Sequence, residues 1–134
     1  MDNKYQKVIL NNIDVWCVIA EGVKGSAKAF NKLESILPTL KGRHFYGVLN
    51  GKPDNGTYRA CVVKQLDENF GNLESWVIPG GKYARAKIKN WEENIQSIAQ
   101  EFSQMTKEFA IDKNRPCIEF YKSQEELILM LPIQ

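Results

Sequence analysis

A single carboxylate interrupts the apolar and aromatic stretch of residues 116–122, Pro-Cys-Ile-Glu-Phe-Tyr-Lys. Because successive side chains of a strand point to opposite faces, Glu119 shares one face with Tyr121, and Ile118 shares the other with Phe120. If Ile118 and Phe120 pack under helices, Glu119 and Tyr121 face a seam that a ligand can enter. Burial in such a seam raises the pKa of Glu119 unless a cation or a hydrogen-bond donor compensates.

A carboxylate in this setting can do two kinds of chemistry. It can supply the one charge that pairs with a cationic ligand, or it can act as a general base. The alternative is that Glu119 is a solvated residue on the exposed face of a two-sided antiparallel sheet. Alternation within one strand does not decide between these interpretations.

Aromatic residues concentrate in or beside the strand-like stretches and could form the wall of a binding site. Aromatic walls with one acid suit flat, amphipathic cations through stacking and cation–π attraction. Trp and Tyr also fill cores, and Trp91 fits that interpretation because it begins an apolar helical stripe. For Tyr46 and Tyr58 both interpretations stay open, since the sequence does not fix strand register. The candidate ligand-binding residues are Glu119, Tyr121, Tyr46, Tyr58, Trp76, Trp91 and Trp16.

Metal and cofactor chemistry is not indicated. The one histidine, His44, has no zinc-binding neighbour at ligand spacing. Cys17, Cys61 and Cys117 each lie in an apolar stretch, and we expect reduced thiols that act as small hydrophobic side chains. The glycines of residues 79–81 lack a phosphate-binding pattern and predict a bend. We therefore expect no metal site and no cofactor.

The composition is that of one folded domain. The chain has 134 residues, of which 43% are hydrophobic and 25% are charged, close to the globular average. Its 18 basic and 16 acidic residues leave a net charge of +2 without a basic block, so we expect no direct nucleic-acid partner. No secretory or membrane-spanning segment is recognisable, which predicts a cytoplasmic protein without membrane contact. Exposed sheet edges could pair two chains, so we expect a monomer or a weak homodimer.

Two helices are predicted. The second spans about residues 91–109, where apolar side chains recur with the period of an α-helix, and Asn90 with Glu93 forms a capping-box-like start. The first spans about residues 26–40, and Pro38 must bend it or end it early. Stretches rich in β-branched and aromatic residues predict strands at 5–10, 13–20, 44–50, 57–65, 73–78, 82–89, 116–122 and 126–133.

The element order β-β-α-β-β occurs twice. This order predicts an internal duplication, with repeats at about residues 1–67 and 68–134 of a single domain that spans residues 1–134. The fold class that follows is α+β, with duplicated β-α-β-β units, pseudo-two-fold symmetry and a mostly antiparallel sheet. We expect both helices on one face of this sheet and a ligand groove on the other face, with the seam between the halves also open to a ligand.

Several short motifs, in order, resemble the GyrI-like effector-binding domain family, which is also found in AraC-type regulators. The resemblance covers essentially the whole chain, and it implies a duplicated β-α-β-β domain that binds bulky, often cationic aromatic compounds in a groove between the halves. It also implies that Glu119 faces the ligand, with Tyr121 beside it. The motifs are Tyr46-Gly47-Val48, Ile78-Pro79-Gly80-Gly81-Lys82-Tyr83-Ala84, a helix that opens at Trp91, Pro116-x-Ile118-Glu119-x-Tyr121, and Leu129-x-Leu131-Pro132-Ile133.

Many relatives in that family carry a DNA-binding helix-turn-helix module. The two predicted repeats occupy all 134 residues here, so we expect a bacterial stand-alone member that binds, sequesters or senses drugs, with a link to transcription regulation through other proteins. A binding protein is favoured over an enzyme. The first alternative is a hydrolase of cyclopropane-containing genotoxic natural products, in which Glu119 activates water and Tyr121 stabilises a developing oxyanion. The second alternative is a regulatory protein that acts by contact with a topoisomerase or a transcription factor.

Overall fold

The strand-forming stretches of the sequence all enter one sheet. The computed structural model describes residues 5–134. Short 3₁₀ turns at Val23–Gly25 and Trp91–Glu93 precede the two helices. The elements in chain order are β1 (Gln6–Leu10), β2 (Ile13–Glu21), α1 (Ser26–Ile36), β3 (Phe45–Asn50), β4 (Thr57–Val63), β5 (Glu74–Ile78), β6 (Gly81–Lys89), α2 (Gln96–Glu108), β7 (Cys117–Tyr121) and β8 (Glu126–Pro132).

Eight strands of the described chain form a single antiparallel sheet in the order β1-β6-β8-β7-β3-β4-β2-β5. Strands β3 and β7 pair at its centre, so the two halves of the chain meet there. Strand β1 pairs with β6 and β5 pairs with β2, so each half of the sheet takes its edge strand from the other half of the chain. The predicted α+β class is confirmed. The division into two repeats near residue 67 stays a prediction.

Both helices pack on the same face of the sheet. Leu33 of α1 is fully buried in a cluster with Tyr58 and Ala60 of β4. Met105 of α2 is fully buried in a second cluster with Leu129 of β8. Directly paired residues of neighbouring strands project to one face, so the register of β3 with β7 places these two clusters on the same side.

The opposite face of the sheet is also buried, because the sheet curls around it. Val15, Val48 and Ile118, from three different strands, have no exposed surface and belong to one cluster on this face. Val8 from the β1 edge and Ile78 from the β5 edge reach the same cluster. The central strands are therefore covered on both faces, unlike the strands of a sheet with one solvated face.

Both helices are shorter than predicted. Helix α1 ends at Ile36, ahead of Pro38, whose ring cannot continue a helix. Helix α2 begins only at Gln96, and the predicted capping box is wrong, because Asn90 has a left-handed backbone (φ 54°) and makes no side-chain cap. Within residues 5–134, no helix has the length and hydropathy of a bilayer-spanning segment.

Candidate functional site

Glu119 lies at the centre of the sheet, in the seam between the two helices. In the β3–β7 pair, Glu119 is opposite Gly47 and Tyr121 is opposite Phe45. Phe45 packs against the cluster beneath α1, and Tyr121 packs against the cluster beneath α2. The carboxylate therefore projects to the helix-bearing face, between the two clusters.

This position corrects the expectation of a groove on the face opposite the helices. The alternation along β7 is as predicted, but Ile118 and Phe120 pack in the cluster of the helix-free face rather than under the helices. The physical reason is the curl of the sheet, which creates a second apolar interior for these two side chains to fill. The alternative of a Glu119 on an open, solvated sheet face is also wrong, because the side chain is half-buried and accepts hydrogen bonds from two tyrosines.

Two tyrosine hydroxyls hold one oxygen of the Glu119 carboxylate. Tyr58 donates to Oε1 at 3.0 Å, and Tyr121 donates to the same oxygen at 2.9 Å. Tyr58 lies on β4 and reaches the carboxylate across Gly47 of β3. A Cβ atom at Gly47 would lie 2.6 Å from Oε1 and would collide with the Tyr58 hydroxyl. A glycine at this position is therefore needed for the tyrosine to reach the carboxylate.

No cationic side chain among residues 5–134 neutralises Glu119, because the ion pairs that the structure describes join other residues. Burial raises the pKa of Glu119, and the two tyrosine hydrogen bonds offset part of that rise. Burial and the nearby Glu119 charge both raise the pKa values of Tyr58 and Tyr121. Both hydroxyls therefore stay protonated and act as donors.

Aromatic rings from α1 and from the turn ahead of α2 contact the two tyrosines that hold the carboxylate. Phe30 of α1 meets Tyr121 edge to face, with ring centroids 5.3 Å apart, and meets Tyr58 at 6.3 Å. Trp91, in the turn ahead of α2, meets Tyr121 at 5.1 Å. The indole N–H of Trp91 donates to the backbone oxygen of Ser123 at 3.1 Å, which fixes the ring. We refer to Glu119, Tyr58, Tyr121, Phe30 and Trp91 as the Glu119 cluster.

Strand register separates the sequence-predicted binding residues into two groups. Tyr46 and Trp76 lie on the helix-free face, where the Tyr46 ring stacks on Phe120 with centroids 4.7 Å apart. Trp16 lies on the helix-bearing face but packs edge to face on Phe70, outside the Glu119 cluster. The predicted residues that the structure brings together are Glu119, Tyr121, Tyr58 and Trp91.

Sequence reasoning missed two residues of this site, Phe30 and Gly47. Phe30 is part of the apolar stripe of α1 and has no signal that separates it from ordinary core, because the rotation of a helix about its axis is set by packing. Gly47 does have a signal. A glycine inside a strand often marks a place where another group approaches the backbone closely, and here that group is the Tyr58 hydroxyl.

Other parts of the described chain offer less chemistry. Among residues 5–134, no group of three or more His, Cys, Asp or Glu side chains is placed to hold a metal ion. A polar surface pocket of about 340 Å³ lies at the beginning of α2, lined by residues 92–97 and Gln100, and Glu119 is not part of its lining. The Glu119 cluster is therefore the candidate functional site.

Several solved structures share this fold. The chain is similar to an integron cassette protein from the mobile metagenome of Vibrio cholerae, with a TM-score of 0.71 and 12% identity over 98% of this chain and 96% of that one. For SAV2435 bound to tetraphenylphosphonium, the TM-score is 0.68 and the identity 10% over 98% and 94% of the two chains. For the C-terminal domain of EcmrR, the corresponding values are 0.66 and 13% over 97% and 98%.

A structure described as a hydrolase from Listeria innocua is also similar, with a TM-score of 0.62 and 14% identity over 98% of this chain and 92% of that one. No protein-family model matches the chain, and no curated protein matches it in sequence. At such low identities the likeness establishes the fold alone. The chain has the α+β fold of small domains that include one bound to a cationic aromatic molecule.

Proposed function

We propose that the chain is a GyrI-like effector-binding domain that binds amphipathic aromatic cations at the Glu119 cluster. The observation that carries this proposal is a half-buried carboxylate with aromatic neighbours and no cationic side-chain partner among residues 5–134. Drug binding, sequestration and effector sensing all use this chemistry, and the proposal covers all three.

The carboxylate favours a cation because the chain does not neutralise it. A charged group withdrawn from water is costly unless it is paired or takes up a proton. The hydroxyls of Tyr58 and Tyr121 provide hydrogen bonds but no opposite charge. A bound cation supplies that charge in a medium where the attraction is stronger than in water.

The rings of the cluster favour an aromatic ligand. Phe30 and Trp91 flank Tyr121 within ring-contact distance, so a flat cation in the seam would meet apolar and π surfaces. Cation–π attraction contributes roughly 0.5–2 kcal/mol at such sites, and burial of the ligand's apolar area adds to it. The tetraphenylphosphonium bound to SAV2435, which has the same fold, supports a ligand of this class.

The substitution Glu119→Gln tests the proposal, because it removes the charge and keeps the size of the side chain. A hydrogen bond or ion pair to a charged group contributes roughly 1.5–3 kcal/mol, so we expect an aromatic cation to lose at least about tenfold in affinity. A neutral analogue of the same shape should lose less. Isothermal titration calorimetry with both ligands measures the difference.

The matched control is Glu108→Gln, which removes one exposed carboxylate at the end of α2. This variant should bind both ligands as the original chain does. Equal losses for the cation and the neutral analogue in Glu119→Gln would remove the ion pair from the proposal.

A hydrolase is the second candidate function, because Glu119 and Tyr121 are in direct contact and a hydrolase from Listeria innocua has the same fold. In this mechanism ionised Glu119 takes a proton from water, and the Tyr121 hydroxyl exchanges its hydrogen bond to Glu119 for one to the developing oxyanion. Incubation with a cyclopropane-containing alkylating compound should then give ring-opened product in excess over protein, and Glu119→Ala should abolish turnover. Product limited to one equivalent would indicate trapping rather than catalysis. Contact with a topoisomerase or a transcription factor stays a prediction.

A further inference from the structure

The two oxygens of the Glu119 carboxylate differ in their hydrogen bonding. Oε1 accepts both tyrosine hydrogen bonds, from Tyr58 at 3.0 Å and from Tyr121 at 2.9 Å. Among residues 5–134, no group donates to Oε2. The fully buried side-chain polar atoms without a partner in that range are Arg43 Nε and Asn50 Oδ1, so Oε2 retains accessible surface. Of the two oxygens, Oε2 is therefore the one that has acceptor capacity left for a ligand.

The aromatic side chains of the Glu119 cluster have no donor left for Oε2. The Trp91 indole N–H is already bonded to the backbone oxygen of Ser123. Phe30 carries no polar atom, and both tyrosine hydroxyls of the cluster are bonded to Oε1. Each carboxylate oxygen can accept two hydrogen bonds, so Oε1 is saturated and Oε2 keeps its full acceptor capacity.

Resting on the proposed function, we propose that this site selects aromatic cations that carry an N–H group, such as protonated amines and amidinium ions, over quaternary ammonium and phosphonium cations. A protonated amine supplies both the charge and the donor that Oε2 lacks, in a charge-assisted hydrogen bond. A quaternary cation supplies the charge alone. A bulky ligand excludes water from Oε2, and a ligand that cannot replace the hydrogen bond of that water loses affinity.

Two ligands on one aromatic framework test this selectivity. The first is anthracene with a protonated dimethylaminomethyl group, the second is anthracene with a trimethylammoniomethyl group, and anthracene with a methoxymethyl group is the neutral reference. All three are titrated against the full chain at neutral pH, followed by anthracene fluorescence. We expect the protonated amine to bind at least about tenfold more tightly than the quaternary cation, because a buried acceptor left without a donor is costly.

The variant Glu119→Gln tests whether the selectivity arises at Oε2. If the tyrosine hydroxyls hold the amide oxygen as they hold Oε1, the amide NH₂ group takes the position of Oε2 and cannot accept a hydrogen bond. Both cations should then bind more weakly, and the ratio between them should fall to about one. A ratio that survives in the variant would overturn the assignment to Oε2. Thermal unfolding checks that the variant is folded.

The outcomes separate this inference from the proposed function. If both cations bind the original chain equally and more tightly than the neutral reference, the N–H selectivity is wrong and the cation site stands. If neither cation binds more tightly than the neutral reference, both are wrong. A ¹⁵N-labelled amine gives a measurement that needs no variant, since its N–H proton should shift downfield on binding to a carboxylate, and an unchanged shift would contradict the hydrogen bond.

Discussion

Glu119 accepts hydrogen bonds from two tyrosines on different strands. A substitution of either tyrosine by phenylalanine removes one of these hydrogen bonds at the loss of a single oxygen atom. Because each hydroxyl stabilises the ionised carboxylate, Tyr58→Phe should raise the pKa of Glu119 further. The effect should be clear, because a hydrogen bond to a charged group contributes roughly 1.5–3 kcal/mol. Carbon-13 NMR titration of the Glu119 carboxyl group measures this rise.

Tyr46 provides the matched control for that titration. Its ring lies on the helix-free face against Phe120, so Tyr46→Phe removes a hydroxyl from a central strand without touching Glu119. The pKa of Glu119 should stay unchanged in this variant. A pKa that moves equally in Tyr46→Phe and Tyr58→Phe would show that the hydrogen bonds in the seam are not its cause.

The raised pKa of Glu119 also makes the stability of the fold depend on pH. In the folded chain the carboxyl group holds its proton at pH values where an unfolded glutamate has lost it. The free energy of unfolding should therefore fall as pH rises from the ordinary glutamate range through the raised pKa, and level off above it. Each pKa unit of elevation corresponds to about 1.4 kcal/mol.

Glu119→Gln isolates this contribution because its side chain does not ionise. The difference in unfolding free energy between Glu119→Gln and the original chain should grow with pH across the same window, in favour of the variant. Urea unfolding at a series of pH values measures it. A difference that is constant with pH would mean that Glu119 titrates alike in the folded and unfolded chain.

At the scale of elements, the site depends on a position of β3 that has no side chain, Gly47. Gly47→Ala places a Cβ atom against both the Tyr58 hydroxyl and Glu119 Oε1, so either Tyr58 or the strand must shift. Overpacking of this kind costs roughly 1–3 kcal/mol of stability. We expect that loss in urea unfolding, together with weaker binding of aromatic cations.

Gly71 offers the matched control, because a Cβ atom there meets nothing within 4 Å. Gly71→Ala adds the same methyl group in the turn ahead of β5 and should leave both stability and cation binding nearly unchanged. Wild-type cation affinity in Gly47→Ala would show that the contact of Tyr58 with Glu119 is not needed for the site.

The elements could be predicted from the sequence to a greater degree than the faces they present. Strand and helix positions follow from local periodicity, and each predicted strand is present within a few residues. The orientation of β7 could not be predicted, because its alternation fits Glu119 on either face equally well. What decided it was the burial of Ile118 in a second interior, and that interior exists only once the whole sheet has curled. The place of Tyr58 in the site could not be predicted either, because it depends on the register of β4 with β3.

At the scale of the molecule, the site lies at the boundary between two cores. The cluster beneath α1 is built around Leu33 and the cluster beneath α2 around Met105, and the central strands β3 and β7 lie between them. Tyr121 packs at this boundary and meets rings from both sides, Phe30 and Trp91. A ligand that enters the seam therefore contacts both halves of the chain, which would let its binding alter how the two helices sit on the sheet.

The three tryptophans occupy different parts of the molecule, and this distribution can locate the ligand. Trp91 contacts the Glu119 cluster, Trp76 lies on the helix-free face beneath Arg59, and Trp16 packs on Phe70. A ligand in the seam should quench Trp91 most strongly, so Trp91→Phe should remove most of the ligand-dependent change in emission. Trp76→Phe and Trp16→Phe should retain it. If quenching persists in Trp91→Phe and is lost in Trp76→Phe, the ligand binds on the helix-free face. The carboxylate of Glu119 could then contribute only indirectly, since it projects to the other side of the sheet.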